Sequence, residues 1–132
     1  MMKKVLLFVF LFIIATMSVY AAVGRRSSTP MVRYVKPKDE AVVDLSNREE
    51  LVFKWKRMPR PAGGREAYKI EIFRGFGYER IIVKTLDEDV DTLSVPREIF
   101  ENGTLYTWQV RQRDRKTGIW SRDNRWNFTV KR

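Results

Sequence analysis

Hydrophobic and polar residues alternate along several short segments of the chain after residue 50, and no segment shows sustained helical spacing. Successive side chains of a β-strand point to opposite faces, so strict alternation predicts a strand with one buried and one exposed face. Turn-forming glycine, proline, asparagine and aspartate residues separate the segments. The pattern therefore predicts an all-β domain. Its strands are expected near residues 51–56, 68–72, 78–85, 92–95, 104–113 and 126–130.

The inward positions of these segments supply the predicted hydrophobic core. They are large aromatic or branched residues, namely Phe53, Trp55, Tyr68, Ile70, Tyr106, Trp108, Val110, Trp126 and Phe128. On the strand near residues 104–113, the alternate residues Thr107, Gln109 and Arg111 are expected to point outward. With a first strand near residues 31–35 or 41–45, the chain has about seven strands, which is typical of a two-sheet antiparallel β-sandwich.

The N-terminal segment has the pattern of a secretion signal. Two lysines precede an apolar run over residues 5–19, and small residues follow at a potential cleavage site. We predict a hydrophobic signal helix over residues 1–21, a linker over residues 22–31 and one domain over residues 32–132. The alternative is an uncleaved anchor, because residues 5–23 are just long enough to span a hydrocarbon core of about 30 Å.

Either interpretation places the folded domain outside the cytoplasm. The domain is then periplasmic, extracellular or anchored, and it contacts a membrane only if the N-terminal segment is retained. The expected location is exported in every case.

Composition limits the chemistry available to this domain. The chain has 132 residues, a formal net charge of +10, no cysteine and no histidine. It therefore lacks disulfides, the usual zinc ligands, and any thiol or imidazole for nucleophilic or acid–base catalysis. Acidic pairs such as Glu49-Glu50 stand beside polar residues and are expected to be solvated. We predict a protein that is not an enzyme and that has no cofactor.

Three alternating carboxylates leave one metal-binding alternative open. Asp87, Asp89 and Asp91 could supply oxygen ligands to calcium. The sequence has no glycine there to fold the loop around an ion, so a solvated acidic turn is the preferred interpretation.

The C-terminal third of the chain resembles the fibronectin type III family. Residues 100–106 (Phe-Glu-Asn-Gly-Thr-Leu-Tyr) match the family's apolar residue, turn, threonine and corner tyrosine, and residues 118–121 and 126–128 continue the pattern. The matching upstream residues are Pro37, Phe53, Trp55, Tyr68 and Ile70. The resemblance covers roughly residues 32–132 and implies an immunoglobulin-like sandwich. In that fold Tyr106 would return its hydroxyl to a backbone group a few residues upstream.

Two basic loops form the candidate binding site. In a sandwich of this topology, the loops over residues 58–66 and 115–123 are expected at one end, together with the acidic loop over residues 87–91. Arginine suits carboxylate, sulfate and phosphate oxygens, and an aromatic ring can stack on a sugar. The alternative is structural, with the cations neutralised by the acidic loop and the tryptophan stacked on Arg111 or Arg113. The candidate binding residues are Arg57, Arg60, Arg65, Arg115, Lys116, Trp120 and Arg122.

These features predict an exported, non-catalytic binding module whose partner is an anionic protein or glycan. Two alternatives stay open: a carbohydrate- or anionic-polymer-binding module that uses the basic loops, and a membrane-tethered structural or assembly protein. Nucleic acid is not expected as a partner, because the domain is exported and carries no nucleic-acid-binding motif.

Overall fold

The computed structural model describes residues 29–57 and 66–132 of the chain. The predicted signal segment, most of the predicted linker, and the candidate residues Arg60 and Arg65 lie outside the described residues. Within the described ranges, no helix is long and apolar enough to cross a membrane.

Two β-sheets pack face to face and enclose the core, as the alternation predicted. The strands of the described residues are β1 (Arg33–Lys36), β2 (Ala41–Asp44), β3 (Glu50–Lys56), β4 (Tyr68–Arg74), β5 (Glu79–Leu86), β6 (Thr92–Pro96), β7 (Leu105–Gln112) and β8 (Trp126–Lys131). One sheet has the order β1-β3-β6, and the other has the order β2-β8-β7-β4-β5. A short 3-10 turn over Arg97–Ile99 follows β6.

The described residues form eight strands, so the predicted number of seven was wrong. Both segments that were alternatives for the first strand are strands. β1 pairs with β3 in the smaller sheet, and β2 pairs with β8 in the larger one. Pro37 lies between them, where its missing N–H costs no ladder hydrogen bond. The β2–β8 pairing is parallel. The prediction of a purely antiparallel sandwich was therefore wrong for this pair of strands.

The core contains the residues that alternation placed on the inward faces. Eight of the nine predicted core residues are at most 1% exposed, and the ninth, Trp126, is partly buried and packs against the cluster from its edge. Tyr34 contacts the indoles of both Trp108 and Trp126, with ring centroids 4.6 and 5.2 Å away. Trp126 is less buried because it begins β8, at the point where the chain leaves the β7–β8 connection.

The corner tyrosine has the predicted geometry. The hydroxyl of Tyr106 accepts a hydrogen bond from the backbone N–H of Glu101 at 2.7 Å. Its ring packs edge-on against Phe100 and stacks on Phe128. Gly103 turns the chain between these residues with a φ of 73°, a left-handed conformation that glycine adopts without steric cost. The structure therefore confirms this part of the resemblance.

A second tyrosine joins the two sheets, and the sequence did not predict it. β8 pairs with β7 only as far as Trp108, which leaves the next backbone groups of β7 without a strand on that side. The hydroxyl of Tyr34, which belongs to β1 in the opposite sheet, donates to the carbonyl of Val110 at 3.1 Å and accepts from its N–H at 2.8 Å. One side chain thus takes the place of the missing strand at this position.

Candidate binding site at the loop end of the sandwich

The described ends of three connections lie at one end of the sandwich: the residues on either side of 58–65, which join β3 to β4, and the β5–β6 and β7–β8 connections. Apart from Glu66, the predicted loop over residues 58–66 lies outside the described residues. Backbone hydrogen bonds tie their ends together. The N–H of Trp55 donates to Asp91 O, that of Ala67 to Leu86 O, and that of Arg113 to Ala67 O, each at 3.0 Å. We call this end of the molecule, with residues 57, 66–67, 87–91 and 113–123, the loop end.

The acidic connection lies against part of the basic surface. Arg57 is exposed, and its guanidinium donates to the carbonyl of Glu88 at 3.4 Å. Arg113 forms an ion pair with Glu66 at 3.0 Å. The first contact is a hydrogen bond to a main-chain carbonyl and the second an ion pair; both are at the surface, where a single ion pair contributes little to stability. Arg57 therefore lies within the negative field of the acidic loop.

A tight turn organises the basic β7–β8 connection. The carboxylate of Asp114 accepts hydrogen bonds from the N–H groups of Lys116 and Thr117 at 2.8 and 2.9 Å, and Gly118 N–H donates to Asp114 O at 2.9 Å. The backbone N–H groups of Thr117 and Lys116 hold the pKa of Asp114 below its usual value. These hydrogen bonds thus fix the backbone of the turn at Arg115 and Lys116.

The exposed face of this turn combines charge with one apolar side chain. Arg115, Lys116 and Arg122 are all exposed, and Ile119 between them is 51% exposed. In the described part of the chain, no ion pair engages these three cations. Their charges are therefore directed to solvent, unlike that of Arg113.

Trp120 is held by the fold on one side. It is half-buried, forms an isolated backbone bridge with Arg113, and has the Arg113 guanidinium 5.8 Å from its ring centroid. This is the stacking arrangement of the structural alternative, with Arg113 as the partner.

The last residues of the predicted linker lie against the same end. Thr29 is buried and donates its hydroxyl hydrogen to Ile119 O at 3.1 Å, and Pro30 O accepts from the side-chain amide of Gln112 at 2.6 Å. Thr29 and Pro30 thus contact the β7–β8 connection and the end of β7. The sequence suggested only a polar spacer there, because neither residue has an alternating neighbourhood.

A buried carboxylate on the outer face of the larger sheet is a polar centre that the sequence did not predict. Glu71 is 5% exposed. Its two oxygens accept hydrogen bonds from Arg111 at 2.8 Å, Gln109 at 3.0 Å and Arg80 at 3.2 Å. Gln109 and Arg111 lie on the outward face as expected, but both side chains are engaged by Glu71 instead of pointing freely to solvent. Finding the cluster requires the register that places Glu71 opposite Gln109, which the sequence does not state.

Glu71 stays ionised because its neighbours compensate for burial. Burial alone would raise the pKa of Glu71, but hydrogen bonds from Gln109, Arg80 and Arg111 outweigh it and hold the pKa below its usual value. The shielding layer consists largely of the arginine side chains themselves, and Arg80 is 52% exposed. The cluster therefore lies at the surface of the larger sheet, with its carboxylate covered.

Replacing Glu71 with glutamine is expected to lower the free energy of unfolding by about 1–2 kcal/mol at pH 7. Because the folded-state pKa lies below the unfolded value, the carboxylate stabilises the fold above about pH 4.3 and this contribution is lost as pH falls through the folded pKa. Urea unfolding from pH 7 to pH 3 should show a flatter acid limb for the variant. The control is Glu79→Gln, which affects an exposed pair with Arg74 at 3.9 Å. Identical acid limbs for wild type and Glu71→Gln would contradict the assignment.

The alternating aspartates do not assemble a metal site. Among residues 29–57 and 66–132, no group of three or more acidic side chains is placed to hold a metal ion. The segment instead forms a turn closed by a hydrogen bond from Val90 N–H to Asp87 O at 3.2 Å. The calcium alternative therefore has no geometric support.

Comparison with known structures identifies the architecture. No protein-family model and no curated protein sequence matches the chain. An Fn3-like protein from Clostridium thermocellum superposes with a TM-score of 0.53 and 14% identity, covering 80% of this chain and 97% of that one. CopC from Methylosinus trichosporium OB3b has a TM-score of 0.48 and 14% identity, covering 76% of this chain and 93% of that one. Together with the two-sheet topology and the tyrosine corner, the first similarity shows that this chain folds as a fibronectin type III-like, immunoglobulin-like β-sandwich domain.

Proposed function

We propose that this protein is an exported, non-catalytic binding module that recognises an anionic protein or glycan through its loop end. The observation that carries the proposal is the β7–β8 turn. In this turn and the residues that follow it, Arg115, Lys116 and Arg122 and the apolar side chain of Ile119 are all exposed. Loops positioned by a rigid sandwich are common binding surfaces.

The geometry of the turn suits recognition. Hydrogen bonds to Asp114 fix the backbone between residues 114 and 118, so little conformational entropy is lost when a ligand binds. Guanidinium groups pair with carboxylate or sulfate oxygens, often through two parallel hydrogen bonds. The exposed part of Trp120 and the side chain of Ile119 supply apolar contact beside the charges.

The chemical inventory supports a binding role over catalysis. The whole chain has neither histidine nor cysteine. The most strongly hydrogen-bonded carboxylate of the described residues, Glu71, is occupied by two arginines and a glutamine on a flat sheet face. A general acid or base needs an accessible proton-transfer position, and this one is covered. Export is supported by the apolar run over residues 5–19 that follows Lys3-Lys4.

Charge reversal of the turn tests the proposal. The double variant Arg115→Glu/Arg122→Glu is expected to weaken binding to heparin or to poly-glutamate at least about tenfold, because it removes two attractive charges and adds two repulsive ones. Isothermal titration at 50 and 300 mM salt measures the change. The thermal midpoint should stay within about 1 °C, because neither side chain has an ion pair among residues 29–57 and 66–132.

The matched control carries the same change of charge elsewhere. Lys84 and Lys131 are exposed on strands β5 and β8, so Lys84→Glu/Lys131→Glu alters net charge equally without touching the turn. An equal loss of affinity in this control would show that only net charge matters and would overturn the proposed site. Loss of stability in the turn variant would favour the structural account of these residues.

A further inference from the structure

The crossing of the chain between sheets leaves half of β3 without a neighbour on one side. β1 pairs with β3 only opposite Lys54, Trp55 and Lys56. The chain then passes Pro37 and joins the other sheet as β2. Over residues 50–53, β3 pairs with β6 alone among the described strands. This half of β3 is therefore an open edge in the described structure.

The backbone of Val52 points into that opening. Two odd-numbered residues near it form backbone hydrogen bonds on the β6 side. The N–H of Trp55 donates to Asp91 O at 3.0 Å, and Glu49 O accepts from Arg97 N–H at 2.8 Å. Backbone groups alternate in direction along a strand. The N–H and C=O of Val52 consequently point away from β6, toward the side that β1 has left.

A cavity of about 330 Å³ lies beside this edge, between β2 and β3. Its apolar lining includes Pro37, Val43 and Leu51, and Val42 at its margin is 71% exposed. An apolar interior thus lies next to strand backbone groups that no neighbouring described strand pairs, as expected where one strand of a β-sandwich edge is missing. An extended chain satisfies both features, because its own backbone pairs with the strand while alternate side chains enter the cavity.

The charges around the cavity are predominantly positive. Lys36, Lys38 and Arg48 line it and are exposed. The lining carboxylate, Asp44, accepts hydrogen bonds from the N–H and hydroxyl of Ser46 at 2.9 and 2.5 Å and keeps its charge, so three positive charges face one negative charge. An occupant with acidic side chains on its outward positions therefore complements the site.

We propose that this groove binds an extended peptide segment of alternating apolar and acidic residues, which adds as a strand to the open edge of β3. The segment pairs with Val52, places its apolar side chains against Pro37, Val43 and Leu51, and directs its carboxylates to the three cations. About four residues, or roughly 13 Å of strand, fill the open edge. The site belongs to the side of the sandwich where β1 crosses to β2, and it is independent of the function proposed for the loop end.

The probe is a blocked hexapeptide, (Val-Asp)3, added to the full chain isotopically labelled for NMR. Binding should perturb the backbone amide of Val52 and the amides of residues 41–44, and should protect the Val52 amide from hydrogen exchange. Two control peptides separate the contributions: (Val-Lys)3 reverses the charges, and (Val-Asp)3 with alternate backbone amides N-methylated keeps the side chains but loses the strand hydrogen bonds. Each control should bind at least about tenfold more weakly.

Two variants test the same contacts from the protein side. Val52→Pro removes an N–H that faces the groove and not β6, so the β3–β6 ladder is retained and peptide affinity should fall at least about tenfold. Because proline can strain a strand, Lys38→Glu/Arg48→Glu supplies a second test that leaves the backbone unchanged. It should also weaken (Val-Asp)3, and it should strengthen (Val-Lys)3.

Several results would overturn the proposal. Equal binding of the N-methylated peptide would mean that no strand forms, and equal binding of (Val-Lys)3 would mean that the cations only protect an exposed edge from aggregation. Shifts confined to residues 114–122 would assign the peptide to the loop end. Self-association that the peptide does not reverse would assign the groove to a second copy of this chain.

Discussion

Replacing Trp108 with alanine is expected to lower the free energy of unfolding by about 3–5 kcal/mol, as for other large aromatic residues removed from cores. Trp108 is fully buried on the central strand β7. Its ring stacks on Tyr34 and meets Phe53 and Trp126 edge-on, with centroids 4.6, 5.2 and 6.2 Å away. Alanine leaves a cavity in contact with both sheets. Equilibrium urea unfolding measures the loss.

A comparison of two tryptophans separates packing from hydrogen bonding. The indole N–H of Trp108 donates to Pro37 O at 3.2 Å, whereas the indole nitrogen of Trp55, equally buried, has no hydrogen-bond partner among the described residues. Trp108→Phe should therefore cost about 1 kcal/mol more than Trp55→Phe. Alanine at either position should cost about 3–5 kcal/mol. A loss below 1 kcal/mol for Trp108→Ala would contradict the central role of this ring.

Replacing Tyr34 with phenylalanine is expected to lower the free energy of unfolding by about 2 kcal/mol, although only one oxygen is removed. That oxygen satisfies both the N–H and the C=O of Val110, and these backbone groups would be left buried and unpaired. Tyr106→Phe is the matched control. Its hydroxyl serves one partly buried N–H, so its loss should cost about 1 kcal/mol. Equal costs for the two variants would contradict the inter-sheet role of Tyr34.

The same hydroxyl should make the fold sensitive to alkali. Burial raises the pKa of Tyr34 to about 12, with the hydrogen bonds to Val110 partly opposing it. The unfolded value is about 10, so the folded state holds the proton more tightly. The stabilisation that follows from this difference in pKa is complete below about pH 10. It is lost as pH rises from about 10 to about 12, and the loss in the free energy of unfolding reaches about 3 kcal/mol. Tyr34→Phe should flatten this part of the stability–pH curve, and an unchanged slope would disprove the link.

The accuracy of the sequence predictions differs between elements for physical reasons. The strands from residue 51 onward alternate strictly between apolar and polar residues, because one face of each strand is buried and the other is not. This period was sufficient to place Phe53, Trp108 and Phe128 on the inward face. The first strand is divided at Pro37 between two sheets. Each half has only four residues, which is too short for a period to indicate which sheet it joins.

The expected meeting of the loops can be compared with the structure only for the β5–β6 and β7–β8 connections and for the residues that flank 58–65. Topology placed the loops together, because alternate connections of a sandwich emerge at the same end. Which cations remain free depends on contacts between residues distant in sequence. Arg113 pairs with Glu66 and Trp120, and Arg111 pairs with Glu71, while Arg115 and Arg122 remain exposed.

The sequence alone determined the β class of the domain, the inward faces of its strands and the corner at Tyr106, because each depends on spacing within a few residues. Tertiary structure decided the features that depend on register and on contacts between sheets. These are the hydroxyl of Tyr34 at Val110, the carboxylate of Glu71 under two arginines, and the open edge at Val52. The local period indicates which face of a strand a residue occupies. Which residues it contacts on that face depends on strand register and sheet packing, which only the folded chain shows.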